Sequence, residues 1–213
     1  SSLHAIFSLA AHHNMLVAVH AEEECMIQER TKQFADCKTF HCHSKIRTPE
    51  VAAAAVEKAI FLAEMYGTRL YILHVSSIDE LTLIAKAKAR GLPVYAEASP
   101  HHLFLNTNDY DALGAKAQMN PPLREPKHQA ALLAGIHDGT IDTLGSDHAP
   151  HTLDEKNQPY GKAPSGVPGI ETSLPLLLNA VNRGDLSLAH VQALTHDNIL
   201  KVFPQLPDHR EDK

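Results

Sequence analysis

Cysteine is scarce here: Cys25, Cys37 and Cys42 are the whole supply in 213 residues, an odd number without C-x-x-C spacing. A disulfide framework needs pairs and a thiolate zinc site needs closely spaced pairs, so neither is predicted and the three are expected to be reduced thiols. Basic clusters are missing too. With 19 Lys and Arg against 25 Asp and Glu, a formal net charge of −6 and no run of cations, the chain lacks the charge pattern that binds a phosphate backbone. Nucleic acid is therefore excluded as a partner. No apolar run approaches the roughly 18 residues of a membrane span, and no charged-then-apolar leader opens the chain, so a cytoplasmic protein without membrane contact is expected.

Histidine, by contrast, is abundant, with 16 copies. Neutral imidazole is the commonest transition-metal ligand, which makes a metal site a hypothesis to test by position. The 44% apolar content suffices for one buried core. A single domain over 1–203 is expected, followed by a charged, flexible tail over 204–213.

The positions are informative around I-D-T-L-G-S-D-H-A-P-H-T-L-D-E-K (141–156). Four strand-like residues open into Gly145, Ser146, Asp147 and His148, which puts a carboxylate and an imidazole at a strand's carboxyl end. In a parallel α/β barrel, reactive groups project from those ends because the loops there converge on one mouth. A Ser-Asp pair after a strand can also simply cap the next helix, but capping does not call for His148 and His151 alongside. The same pattern recurs earlier. An apolar run over 15–19 ends in His20, a strand over 69–73 ends in His74, and a strand over 93–98 ends in S-P-H-H (99–102). Any one of these histidines alone reads as a core residue. Recurrence at successive strand ends favours a shared site.

Helices are predicted over 2–14, 48–66, 78–90, 127–137, 170–183 and 186–202 from apolar spacing and terminal signals such as Thr48-Pro49-Glu50. Residues 25–47 are polar and predict a partly helical excursion over the mouth, with His41 and His43 as loop histidines. Asn120 is expected on rigid extended backbone beside Pro121 and Pro122. Residues 163–169 form a loop whose glycines allow close approach to a ligand. Strands alternating with helices indicate parallel β/α units. A closed (β/α)8 barrel needs eight strands and about 250 residues. With four strands predicted, the expected fold is a TIM-type barrel of the metal-dependent hydrolase kind, represented by about its second half. An open four-stranded sheet is the rival, but such sheets usually place phosphate-binding glycines after the first strand, and none follow Val19.

Two imidazoles and a carboxylate at one mouth suit hydrolytic zinc chemistry, in which the metal acidifies water and a carboxylate moves the proton. The motifs V-A-V-H-A-E-E-E (17–24), Y-I-L-H-V-S-S (71–77), A-E-A-S-P-H-H-L (96–103), M-N-P-P-L-R-E (119–125), G-S-D-H-A-P-H (145–151) and S-G-V-P-G-I-E-T (165–172) occur in this order. Together they resemble the cyclic-amidohydrolase branch of the amidohydrolase superfamily, and within it the dihydroorotases, over residues 1 to about 203. N-P-P-L-R with D-H-A-P-H is the discriminating pair, since hydantoinases and dihydropyrimidinases usually carry S-P-P-L-R and allantoinases A-P-P-I-R.

The resemblance implies reversible hydrolysis of the cyclic amide of dihydroorotate to N-carbamoyl-aspartate in pyrimidine synthesis, with two zinc ions. It implies that His20 and His74 are ligands of one zinc, that Asp147 is a ligand of the other and the proton shuttle, and that Asn120, His151 and the backbone at Pro168 and Gly169 bind substrate. His101 and His102 receive no role. The family's opening H-x-H strand, its substrate-gripping Arg and its bridging lysine or aspartate are not found, so the chain reads as part of a longer protein and is expected to be inactive alone. A homodimer, association with aspartate transcarbamoylase, a silent scaffold relative, or another cyclic amidohydrolase (dihydropyrimidinase, hydantoinase or allantoinase) are the alternatives that the resemblance leaves open.

Overall fold

The structure, a computed structural model, describes residues 2–208. Helix α1 (Ser2–His12) leads into β1 (Leu16–Val19), followed by α2 (Glu24–Gln33), α3 (His41–Ile46) and α4 (Pro49–Tyr66). Strand β2 (Arg69–Ile72) then leads to α5 (Ile78–Ala89), and β3 (Val94–Ala98) to two short helices, α6 (Pro100–Phe104) and α7 (Tyr110–Leu113). Next come α8 (Pro126–His137), β4 (Thr143–Leu144), α9 (Leu153–Lys156) and α10 (Ile170–Arg183). Last are α11 (Leu188–Gln192), a π-turn segment (Ala193–Asp197) and α12 (Asn198–Val202).

The four strands form one parallel sheet in the order β1-β2-β3-β4, each neighbour in space being the next in sequence. Helical crossovers on one side produce that order, and it is the curl of half a barrel. Alternation along each strand separates two faces. Leu70, Ile72, Val94, Ala96 and Ala98 face the helices and join Val56, Ile60 and Ala63 of α4 and Ile84 of α5 in the main core. Full burial of each large aliphatic side chain is worth about 1.5–3 kcal/mol. The other face is polar: the Tyr71 hydroxyl donates to Oε2 of Glu97 at 2.7 Å and also lies 2.7 Å from Oγ1 of Thr143. Ala18, in register with Tyr71, is exposed there.

The predicted strands and the long helices up to α10 lie within one or two residues of those observed, whereas the short helices α6, α7 and α9 are not among the predicted ones, and three further expectations are corrected. His41 and His43 lie on α3 and not in a loop, with His43 buried. Cys37 and Cys42 are not free thiols but a disulfide pair with Cα atoms 6.1 Å apart, while Cys25 is free and exposed. The predicted helix over 186–202 is interrupted, because the π-turn segment over Ala193–Asp197 separates α11 from α12. Of the predicted tail, residues 204–208 are turns and irregular backbone, and 209–213 fall outside the described residues.

Candidate active site

The sheet ladder runs past the assigned strand ends, which fixes the residues that follow. Leu73 N donates to Val19 O, Val75 N to Glu97 O, and Gly145 N to Ala98 O, at 3.1, 2.8 and 3.0 Å. His20, His74 and Asp147 therefore leave one rim. His74 and Asp147 both hold left-handed backbone, φ 38° and 44°, which costs a non-glycine residue about 1–3 kcal/mol. Such strain persists only where packing enforces it.

Nδ1 of His20 lies 2.9 Å from Nε2 of His74. On its other edge, Nε2 of His20 is 3.1 Å from Oε2 of Glu22, whose side chain is 1% exposed, against 45% for His20. Arg47 Nη1 donates to the same Glu22 oxygen. Burial alone would raise the Glu22 carboxyl, but the His20 hydrogen bond and the Arg47 charge together outweigh it and hold it low. Burial, reinforced by the charge of His20, pushes His74 down to about 4, so its imidazole is neutral near pH 7.

Asp147 is half-buried, and that burial raises its carboxyl against the opposing pull of His20. Its Oδ2 is 3.5 Å from Nε2 of His101, a buried imidazole lowered to about 3 by burial and then by His74. His102, the other histidine without an expected role, spends both ring nitrogens internally, 2.6 Å from Ser99 Oγ and 3.0 Å from Pro121 O. It therefore ties α6 to the double-proline segment. Gly145 leaves room for the Glu97 carboxylate, which a Cβ there would displace and which also accepts from the His74 backbone N–H at 3.2 Å.

The expected substrate-binding residues lie on segments that lace together. Asn120 presents Oδ1 to Nε2 of His43 at 2.8 Å, and the same nitrogen is 3.0 Å from Met119 O. His43 was not expected here; its only signal in the sequence is an H-x-H on a polar stretch that follows no apolar strand. His151 Nε2 is 3.2 Å from Ser165 O. Lys156 Nζ donates to Gln118 O, Pro164 O and Gly166 O at 3.2, 2.9 and 2.8 Å, all of them backbone carbonyls. Pro168 is exposed, and the N–H of Gly169 is already committed to Nδ1 of His148 at 3.1 Å. Gly169 also passes so close to Ser146 O that no Cβ fits, which places this turn directly beside Asp147.

Among the described residues no group of three or more His, Cys, Asp or Glu side chains is placed to hold a metal ion. The donors present fit zinc as part of a set: two imidazole nitrogens converge, and a carboxylate stands close enough to feel His20, whereas zinc takes four ligands. A cavity of about 840 Å³ lies elsewhere, between α2, α3 and the starts of α4, α5 and α8. His20, His74 and Asp147 do not line it.

Residues 1–198 match the Amidohydrolase family. A dihydroorotase of Halobacterium salinarum is 42% identical over 194 residues, covering 91% of this chain and 44% of that protein. The Methanosarcina mazei dihydroorotase is 39% identical over 194 residues, covering 88% and 42%. Among solved structures, the L-hydantoinase (dihydropyrimidinase) from Arthrobacter aurescens superposes with a TM-score of 0.93 at 34% identity, covering 96% of this chain and 47% of that one. Dihydropyrimidinase from Brevibacillus agri gives 0.90 at 31%, covering 96% and 47%. The chain thus spans somewhat less than half the length of these relatives.

Proposed function

Because the chain belongs to the amidohydrolase family, we propose that it forms the carboxyl-terminal part of a dihydroorotase, which reversibly hydrolyses the cyclic amide of dihydroorotate to N-carbamoyl-aspartate in de novo pyrimidine biosynthesis. The observation that carries this is the pairing of His20 Nδ1 with His74 Nε2 at 2.9 Å on neighbouring strand ends, with Asp147 on the same rim. The choice of dihydroorotate rests on relatives named dihydroorotase at 38–42% identity and on N-P-P-L-R paired with D-H-A-P-H.

In this reading His20 and His74 hold one zinc ion, and Asp147 holds a second in the complete enzyme. When bound, zinc supplies a Lewis acid for the amide carbonyl and an acidified water. The chain's own residues do the rest. Asp147, its carboxyl raised by burial, takes the proton from water and delivers it to the leaving nitrogen. Asn120 and His151 hold the substrate through its amide and carboxylate groups. Pro168 and Gly169 form the wall beside Asp147, because the Gly169 N–H is occupied by His148.

Residues 1–203 act as one barrel portion, with 204–213 as an appended tail. A cytoplasmic location, a homodimer and association with aspartate transcarbamoylase complete the proposal; no helix among the described residues is long and apolar enough to cross a membrane. A second reading, that the protein acts on a hydantoin, a dihydropyrimidine or allantoin, is favoured by the hydantoinase structures; a catalytically incomplete fragment or scaffold relative is a third. The test is turnover by the complete enzyme containing this chain. Dihydroorotate should be preferred over dihydrouracil, which lacks the carboxylate, and over hydantoin. The opposite order selects the second reading, and no turnover of any of them selects the third.

A further inference from the structure

His20 stands at the end of β1 with its side chain 45% exposed, yet both of its ring nitrogens have partners. An exposed imidazole has two ring orientations and two neutral tautomers available, so something must select among them. The His74 contact cannot, because a nitrogen facing a nitrogen is satisfied by a hydrogen on either one. The Glu22 contact can. A carboxylate only accepts, so the neutral His20 ring facing it must carry its hydrogen on Nε2. Nδ1 is then the bare nitrogen, turned towards His74.

Glu22 is itself immobilised. Arg47, just beyond α3, donates to its Oε2. The carbonyl of Arg47 accepts from Nη1 of Arg124, the arginine of N-P-P-L-R. Nε of Arg124 donates to Oγ of Ser76 at 3.1 Å, two residues past His74. The chain of contacts leaves one histidine of the pair and returns beside the other. Glu22 Oε2, Arg47 Nη1 and the Arg124 contacts are buried or half-buried, so this frame is more rigid than the ring it holds.

We propose that Glu22, held by Arg47 and through it by Arg124, is a positioning residue that fixes His20 as the Nε2–H tautomer and so presents Nδ1 as its ligating nitrogen. This gives the N-P-P-L-R arginine a part in the site at a distance from any substrate. The consequence for metal affinity rests on reading His20 and His74 as zinc donors. The consequence for the tautomer does not.

The experiment uses the 213-residue chain with nitrogen-15 in its histidines. Long-range proton–nitrogen correlation spectra are recorded at about pH 8, above the ordinary imidazole range. Wild type should show His20 protonated at Nε2. Glu22→Leu should bring a mixture of tautomers, and Glu22→Gln, whose amide oxygen still accepts, should stay close to wild type. His20 protonated at Nδ1 in the wild type would overturn the proposal whether or not either variant folds, as would an unaltered tautomer in Glu22→Leu. Zinc affinity, measured by chelator competition, should fall about 10- to 100-fold in Glu22→Leu, the usual loss for a group that orients a ligating histidine. If the tautomer shifts as stated while wild type binds no zinc, the positioning role stands and the reading of His20 and His74 as zinc donors fails.

Discussion

Nε2 of His43 sits 2.8 Å from Oδ1 of Asn120, a bond that joins α3 to the double-proline segment 77 residues later. Burial lowers the His43 pKa, so the ring is neutral and its single N–H is shared between Asn120 and Met119 O. The asparagine's oxygen thereby accepts from His43, which leaves its NH₂ group as the donor for substrate in the proposed reading. His43→Leu should release that orientation. In the complete enzyme the KM for dihydroorotate should rise about tenfold, equivalent to about 1.4 kcal/mol of binding, with kcat little changed. A fall in kcat at constant KM would show that Asn120 acts elsewhere.

Asp147→Asn keeps the shape of the rim and removes the carboxylate proposed to accept the proton. Turnover in the complete enzyme should drop about 10²- to 10⁴-fold, with thermal unfolding unchanged. An undiminished rate would remove Asp147 from the chemistry.

Zinc binding by the 213-residue chain should be weak and readily reversed by chelators, since its donors fall short of the four-ligand set that gives tight sites. Equilibrium dialysis decides this. Binding that survives a strong chelator would mean that a ligand set other than His20, His74 and Asp147 exists.

His43 and His102 both make the fold sensitive to acid. Burial is the largest cause in each, and it holds both below the ordinary value of 6.5, with the charges of His101 and His74 adding to the effect at His102. In the unfolded chain these rings take up protons as pH falls through about 6.5, while in the folded chain they resist. The unfolded state then binds more protons, so stability is complete above that value and declines below it. Tm measured from about pH 7.5 down to about pH 5.5 should fall steadily. A flat profile would show that these rings are protonated in place.

Lys156 is a buried ammonium whose partners are three backbone carbonyls on the two segments that carry Asn120 and the 163–169 loop. Lys156→Met should leave the carbonyls of Pro164 and Gly166 without this donor, at a cost of about 1–3 kcal/mol, while Gln118 O keeps the Gly166 N–H. The loss should be local. Amide exchange at Gly166, which donates to Gln118 O, and at Ala149, which donates to Val167 O, should quicken while β2 and β3 stay protected. Uniform quickening would make Lys156 a global support and not a loop clamp.

The strands and the long helices were legible because their signals are local: apolar alternation at 69–73 and 93–98, and Thr48-Pro49 opening α4. That His20, His74 and Asp147 leave one rim was legible because each follows a strand-like stretch, a feature that needs no tertiary information. His43 was not, since its burial comes from packing against Met119 and Asn120, 76 and 77 residues distant. The Cys37–Cys42 pair was missed for a related reason. A five-residue separation matches no thiolate motif, and only the turn into α3 brings the two Cα atoms within 6.1 Å. The roles of His101 and His102 likewise depend on where α6 lands, which places one ring against Asp147 and the other against Pro121.

The left-handed backbone at His74 and Asp147 has a practical consequence for anyone breeding a hardier version of this protein. At Asp147, which is half-buried, glycine would relax the chain at little cost in packing, so a screen that rewards heat resistance alone should enrich Asp147→Gly, whereas at His74 the same change would open a cavity where a buried ring now packs. Such a screen would dismantle the rim while reporting success. Libraries built on this scaffold should therefore hold codon 147 constant and seek robustness elsewhere.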